Sequence, residues 1–358
     1  MKSRYLRENP ALILSPRSAL GEAIKAVTGR DRGIALVCDD DRRLLGILVD
    51  ADMRHALLRG ATPETLVSEL MNPKPLVVED GITDEALIDL FDRQRREFIP
   101  VVDKARRLVG LARMGDYLKT PRPVENWVVI MAGGQGTRLR PFTNDCPKPM
   151  MKIGDKPLLE LVLKQLTEYG LNRFILSVNY LADQIKDHFG DGKRFGVTIE
   201  YVSEPSALGT AGALSLIDRK LEQPFIVMNG DLLTMVNFRA LLDFHESEGN
   251  LGTMCVREYD FQVPYGVVQL DDNKLAALIE KPVHRFFVNA GIYVLQPDTL
   301  ARLKANTRRD MPDLFEELRR ESPRKVGCFP IQEYWLDIGK IEDYQRALQE
   351  YDANFIPK

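Results

Sequence analysis

The stretch Val128-Val129-Ile130-Met131-Ala132-Gly133-Gly134-Gln135-Gly136-Thr137-Arg138-Leu139-Arg140-Pro141, trailed by Pro147-Lys148-Pro149, decides how this chain reads. Val128 to Met131 predict a buried strand, apolar and rich in β-branched residues, that runs straight into glycine. Glycines at that point let backbone N–H groups face a ligand, and Arg138 and Lys148 add two cations. The combination suits the phosphates of a nucleotide. Two familiar phosphate loops are excluded. G-x-x-x-x-G-K-[S/T] does not occur, and Gly134-Gln135-Gly136-Thr137-Arg138 is followed by Leu139, where G-x-G-x-x-G requires glycine.

Downstream, strands and helices alternate. Lys156 to Tyr169 read as a helix, with Leu159, Val162, Leu163 and Leu166 at helical spacing and Gly170 as the stop. Phe174 to Val178, Val197 to Val202 and Phe225 to Met228 read as strands, and Leu181 to Phe189 as another helix. This order predicts an α/β fold: a mixed, mostly parallel Rossmann-like sheet with helices on both faces. Ligands of such sheets sit at the C-terminal ends of strands. Asn229-Gly230-Asp231 follows one strand, which puts Asp231 at such an end.

Upstream, the chain repeats itself. A helix over Ser18 to Val27 is followed by strands Ile34 to Val37 and Leu44 to Val49, and Asp52 opens a helix. A helix over Thr83 to Phe91 is followed by strands Phe98 to Val102 and Leu108 to Leu111, and Asp116 opens another. Gly46 and Gly110, like Asp52 and Asp116, are separated by 64 positions, which argues for duplication. Lys119 to Asn126, with two prolines and no apolar period, reads as a linker. The expected division is a repeat module over 1–120, a linker over 121–126 and an α/β domain over 127–358.

Composition narrows the class. The 358 residues are 44% hydrophobic and 28% charged, as in globular proteins, and a net charge of −3 provides no general field for nucleic acid. Cys38, Cys146, Cys255 and Cys328 are dispersed without CxxC spacing and read as reduced thiols of a cytoplasmic protein. Met1 to Arg7 lead into no long apolar run, so neither signal peptide nor membrane span is expected. His55, His188, His245 and His284 fall in no motif, and Arg93 to Arg96 read as a solvated helix face.

Two resemblances follow from these residues. The repeats resemble a pair of CBS motifs: Gly46 with Asp52 and Gly110 with Asp116 fit the pattern, while Val49 and Arg113 stand where Thr or Ser is usual. The resemblance implies an adenine nucleotide as ligand, with Asp52 and Asp116 on the ribose and Arg113 toward a phosphate. Packaging or dimerising the enzyme without a ligand is the other reading. The second half resembles the sugar-phosphate nucleotidylyltransferases, whose signature G-G-x-G-T-R-L-x-P-x-T then P-K-P is matched by Gly133, Gly134, Gly136, Thr137, Arg138, Leu139, Pro141, Thr143, Pro147, Lys148 and Pro149.

That resemblance implies transfer of a nucleotidyl group from an NTP to a sugar 1-phosphate. Arg138 and Lys148 would be catalytic, and Ala132, Gly133, Gly134, Gly136 and Thr137 would bind nucleotide. Asp231 and Asp337 (in Trp335-Leu336-Asp337-Ile338-Gly339) would hold Mg²⁺. Gly266, Glu280, Lys281 and Asn289 (in Tyr265-Gly266-Val267-Val268, Glu280-Lys281-Pro282 and Asn289-Ala290-Gly291-Ile292-Tyr293) would bind the sugar phosphate. Glu204-Pro205-Ser206-Ala207-Leu208-Gly209-Thr210-Ala211-Gly212 resembles a base-binding loop of guanylyl type, with Gly209 against the base. The architecture resembles enzymes that make GDP-glucosamine or GDP-N-acetylglucosamine for legionaminic acid-type pathways. Alternatives are a mannose or heptose 1-phosphate guanylyltransferase, a dTTP- or UTP-glucose pyrophosphorylase, a choline-phosphate cytidylyltransferase, or a catalytically inactive nucleotide sensor. The expected partners are small molecules and further copies of the chain, not nucleic acid or membrane.

Overall fold

A computed structural model of the chain describes residues 12–27, 33–94, 96–117 and 123–355. Met1 to Arg7 and the first two residues of the expected 121–126 linker lie outside them.

The first module contains β1 (Ile13–Leu14), α1 (Leu20–Val27), β2 (Ile34–Cys38), β3 (Leu44–Val49), α2 (Asp50–Leu58), α3 (Val67–Leu70), β4 (Val78–Glu79), α4 (Asp84–Gln94), β5 (Phe98–Val102), β6 (Leu108–Arg113) and α5 (Met114–Tyr117). The duplication holds in strand order, register and turns. β1-β2-β3 and β4-β5-β6 form matching three-stranded sheets. Leu14 pairs with Val37, and Val78 with Val101, at the same offset of 64. The hairpin turns match too: Arg42 and Arg106 both have φ +63°, and Asp39 and Asp103 each accept two backbone N–H groups within their turn. The turns cross-link the halves, Leu44 N–H donating to Arg106 O and Leu108 N–H to Arg42 O. Both post-strand helices start earlier than expected. Asp50 opens α2, and Asp52 is its third residue, accepting Val49 N–H at 3.2 Å, a carboxylate reaching back over the first turn.

The second module follows as β7 (Val128–Met131), β8 (Lys152–Ile153), β9 (Lys156–Pro157), α6 (Leu158–Glu168), β10 (Arg173–Val178), α7 (Ala182–Phe189), β11 (Thr198–Ser203), α8 (Gly209–Gly212), β12 (Phe225–Asn229), β13 (Leu232–Thr234), α9 (Phe238–Ser247), β14 (Gly252–Gln262), β15 (Val267–Asp271), β16 (Lys274–Ile279), β17 (Val283–Leu295), α10 (Met311–Glu321), β18 (Val326–Ile331), β19 (Trp335–Asp337) and α11 (Ile341–Phe355). Lys156 and Pro157 are not helical as expected. The proline ring disfavours helical backbone at Lys156 before it, so the pair stays extended in a small hairpin with β8, and α6 begins at Leu158. Val124 N–H already donates to Gly170 O, and the Asn126 side chain to Pro224 O at 2.8 Å, so residues 124–126 pack on this module.

The sheet order is β11-β10-β7-β12-β17-β14-β18. β11, β10, β7 and β12 run parallel, β17 antiparallel to β12 and β14, and β18 parallel to β14. Alternate residues of β7 supply two cores. Val128 and Ile130 pack with α6, α7 and α9, while Trp127 and Val129 pack with α10. The chain leaves β7 for β10 and β11 on one side, then crosses to β12 on the other. The C-terminal ends of β7, β10 and β12 therefore open on one crevice at a topological switch point. Beyond the sheet, β15, β16 and the outer ends of β14 and β17 form an arm that exposes Tyr265, Leu270, Leu275 and Leu278.

Candidate active site

The glycine turn lies at the end of the central strand. Gly136 is left-handed (φ +61°), and a Cβ there would fall 2.9 Å from Thr143 Cγ2. The Thr143 hydroxyl donates to Gly136 O at 2.8 Å, which fastens the turn to the segment leading to Lys148. Among the described residues, the N–H groups of Gly133, Gly134, Gln135 and Gly136 have no internal acceptor. Four unpaired donors at a strand end make a cradle for an anion. Ala132 is buried beneath it, its N–H committed to Ser177 O, whereas Thr137 and Arg138 lie exposed at the rim.

Glu204 closes the other wall, and motif reading missed its role. Its carboxylate accepts Ser177 Oγ at 2.7 Å and Leu208 N–H at 3.1 Å, and a Cβ on Gly133 would lie 2.7 Å from its Oε1. Asn179 Nδ2 donates to Glu204 O. The loop that begins at Glu204 is clamped to the start of α10: Gly209 (φ +79°) packs where a Cβ would meet Arg309 O and Asp310 Oδ1, both at 2.6 Å. Asp310 also accepts Thr210 N–H at 3.0 Å, and Thr210 Oγ1 accepts Met311 N–H at 2.7 Å. Asp310 stands 100 positions from Thr210 and carried no local signal.

Asp231 and Asp337 are brought together by β13 and β19. These strands pair antiparallel with Leu232 opposite Asp337, and Ile338 N–H donates to Asp231 O at 3.1 Å. The buried Lys148 forms an ion pair with Asp231 Oδ2. Arg138 joins the rim: a Cβ on Gly339 would be 3.7 Å from both Arg138 Nη1 and Asp337 Oδ1. Burial pushes the Asp337 carboxyl above the usual carboxylate range and the charge of Asp231 adds to this, while Lys148 and Arg138 oppose it.

Asp231 Oδ1 and Asp337 Oδ1 are both buried with no hydrogen-bond partner. Two orphaned carboxylate oxygens beside an anion cradle fit a hard divalent cation, which takes one or two protein carboxylates and completes its shell with phosphate and water. No larger cluster of metal-ligating side chains occurs among the described residues.

The expected sugar residues lie on other elements of the module. Gly266, Glu280 and Lys281 sit on the exposed arm. Glu280 faces Gly266, where a Cβ would be 2.9 Å from its Oε2, and Lys281 has φ +45°. Among the described residues, no hydrogen bond or ion pair ties Glu280 or Lys281 to the carboxylate pair. Asn289 is engaged within β17, accepting Gly291 N–H and donating to the Tyr293 hydroxyl at 2.8 Å.

In the first module, Asp52 lines a cavity of about 540 Å³ with His55, Ala56, Arg59, Glu69 and Leu70. Arg113 ends β6 with its Nε buried and unpartnered, and Asp116 lies exposed on α5.

Comparisons with known proteins agree with this architecture. Residues 127–354 match the nucleotidyl transferase family model, and residues 5–59 and 67–122 match the CBS domain. The mannose-1-phosphate guanylyltransferase catalytic subunit beta of Drosophila melanogaster is 34% identical over 230 residues, 62% of each chain. A UTP–glucose-1-phosphate uridylyltransferase of Synechocystis is 33% identical over 241 residues, again 62% of each. The chain thus spans about 62% of the length of these curated relatives. A Bacillus anthracis crystal structure described as a glucose-1-phosphate thymidylyltransferase superposes with a TM-score of 0.52 at 21% identity, covering 64% of this chain and 96% of that one, a likeness of fold. From its glycine turn to its paired aspartates, over more than half its length, the chain belongs to the nucleotidyl transferase family, with two CBS domains in front.

Proposed function

We propose that this chain transfers a nucleotidyl group from a nucleoside triphosphate to a sugar 1-phosphate, releasing pyrophosphate. The observation that carries the reading is the meeting of Lys148, Asp231 and Asp337 beside a glycine turn whose N–H groups are free. A phosphate oxygen of the sugar 1-phosphate bonds to the α-phosphorus while the α–β bridging P–O bond breaks, and pyrophosphate carries away the electron pair. The attacking oxygen is largely ionised at neutral pH, since a phosphate monoester has a second pKa of about 6, so no general base is needed. This agrees with the absence of a motif histidine.

Catalysis is then positioning and charge neutralisation. The N–H groups of the turn orient the triphosphate, Arg138 stabilises the departing pyrophosphate, and Lys148 neutralises charge at the reacting phosphorus. Asp231 and Asp337 would hold a magnesium ion, which would supply Lewis-acid charge neutralisation. Glu204 shapes the nucleotide pocket from below, and the Leu208–Gly212 loop receives the base. Gly266, Glu280, Lys281 and Asn289 are our assignment for the sugar phosphate.

Within this reaction we take GTP as donor, on the form of that loop and the guanylyltransferase names among the relatives. Glucosamine or N-acetylglucosamine 1-phosphate is our first acceptor, and mannose 1-phosphate the next. An adenine nucleotide would occupy the cavity beside Asp52. The test is pyrophosphate release with magnesium across five NTPs and a panel of sugar 1-phosphates, with and without AMP and ATP. GTP-dependent release supports the full reading, and release with another NTP changes the base alone. Silence across the panel favours a nucleotide sensor and refutes the transferase reading.

A further inference from the structure

The two modules meet through a buried charge. Arg54 lies on α2 of the CBS pair with only 1% of its surface exposed, so its guanidinium has left water and must be matched. Its Nε donates to Asp50 Oδ2 at 2.5 Å, one turn earlier, and its Nη2 donates to Glu333 Oε1 of the transferase module at 2.6 Å. Its Cζ stacks 4.0 Å above the Phe329 ring on β18. Burial alone would push the Glu333 carboxyl up, but Arg54 and backbone N–H groups outweigh this and hold it below its ordinary range.

Glu333 is the hinge pin of a short piece of chain. Its carboxylate accepts Gln332 N–H at 3.0 Å and Asn237 N–H at 3.3 Å, and its carbonyl accepts Arg257 Nη1 at 2.9 Å. The next residue, Tyr334, accepts Met235 N–H. From there β13 and β19 run as a three-rung ribbon to Asp231 and Asp337. Glu333 thus joins the root of both strands, and Asp337 is four residues further along. The second repeat offers no counterpart: 64 positions after Asp50 and Arg54 stand Met114 and Leu118. The ionic pair belongs to one repeat and is not a requirement of the CBS fold. The cavity beside Asp52 adjoins the same helix, since His55 and Ala56, next to Arg54, line it.

We propose that Arg54 is a positioning residue for the transferase centre: through Glu333 it holds the root of the β13–β19 ribbon and so sets where Asp231 and Asp337 stand. This rests on the transferase reading for its kinetic part, and its structural part stands without it.

The test uses the full chain with Arg54→Met, Arg54→Lys and Glu333→Gln. Hydrogen exchange is followed in peptides covering 231–238 and 332–338, with α6 as reference. Arg54→Met and Glu333→Gln should speed exchange in both ribbon peptides and leave α6 at its wild-type rate. They should raise the magnesium needed for half-maximal turnover and lower kcat by up to about a hundredfold, the order that a displacement of about 1 Å costs, with KM for the NTP nearly unchanged. Arg54→Lys should restore most of this. Glu333→Gln keeps an amide for Arg54 to meet and serves if Arg54→Met does not fold. Wild-type exchange in the ribbon, equal loosening of α6, or a loosened ribbon with wild-type kcat each overturns the proposal. Loss of the function reading itself shows separately, as a wild-type enzyme inactive on every substrate pair, and the exchange data still decide the link.

Discussion

Replacing Asp337 by Asn separates a functional carboxylate from a structural one, because the two roles predict opposite signs. In the metal-free fold Asp337 is an unfavourable charge. Its Oδ1 is buried without a partner, and burial together with Asp231 raises its pKa. A raised carboxyl pKa favours the fold at low pH, and that contribution is lost as pH rises through the folded value. At neutral pH the metal-free fold therefore bears this cost, and the neutral, isosteric Asn removes it. D337N without metal should be at least as stable as the wild type. With magnesium the order reverses. At a metal concentration roughly ten times Kd, the wild type gains about 1.4 kcal/mol, a rise of about 3–6 °C in Tm for a domain of this size. D337N should lose this rise and also lose about 10²–10³ in kcat, the order expected for one aligned electrostatic contact.

The assay is thermal denaturation with and without magnesium, alongside pyrophosphate release. In the wild type the magnesium-induced rise should shrink as pH falls into the raised titration range of Asp337, because the metal then competes with a proton. A metal-free D337N protein that is clearly less stable than the wild type refutes the electrostatic reasoning. A full magnesium response in D337N refutes the metal role.

Three other substitutions probe the same architecture. Lys148→Ala should abolish most turnover and cost about 1–3 kcal/mol of stability, because Asp231 loses its partner in a half-buried setting; urea denaturation shows a folded protein, and near-normal turnover would contradict the role of Lys148. Gly209→Ala forces a side chain into left-handed backbone and onto Arg309 O, at a cost of about 2–4 kcal/mol; if the loop receives the base, KM for the NTP rises more than kcat falls. His245, fully buried on α9 against Thr253, has its pKa pushed down by burial to about 4. A depressed histidine pKa gives stability that is complete above the unfolded pKa and lost as pH falls through the folded one. Between about pH 6.5 and 4 the chain should therefore lose about 3 kcal/mol, and His245→Gln should flatten that slope in pH-dependent unfolding.

What was legible in the sequence was local. The repeat offset of 64 survives in strand register, in hairpin bulges and in the paired Arg42 and Arg106 turns, because duplication copies short-range geometry. The glycine turn and the strand before Asp231 were legible because an apolar run ending in glycine has few other uses in a parallel sheet. Errors gathered where a local rule competed with periodicity. The apolar period extends α6 back to Lys156, but Lys156 precedes a proline, whose ring disfavours helical backbone in the residue before it, and α6 starts at Leu158. By sequence Asp52 reads as a helix opener, whereas a carboxylate on the third helical residue also satisfies the N–H before the helix.

The residues that complete the site were illegible for a different reason. Glu204, at the end of β11, faces Gly133 past the intervening strand β10, Asp310 reaches Gly209 from the start of a distant helix, and Arg54 reaches Glu333 across 279 positions. Glu204 opens the quoted loop, but none of these pairings follows from a spacing pattern, because each partner is chosen by the sheet order and not by the chain. A motif records residues that must be near one another in sequence to make a turn; the groups that hold such a turn in place can come from anywhere the fold brings a donor. A buried arginine from one module whose acceptor lies four residues from an aspartate of the other is such a case. If α2 served only to package the repeat, an apolar residue at position 54 would fill the same volume without an ionic cluster to match, and the sequence has leucine 64 positions later. The charge makes sense where what it fixes is the position of the chain beyond Glu333.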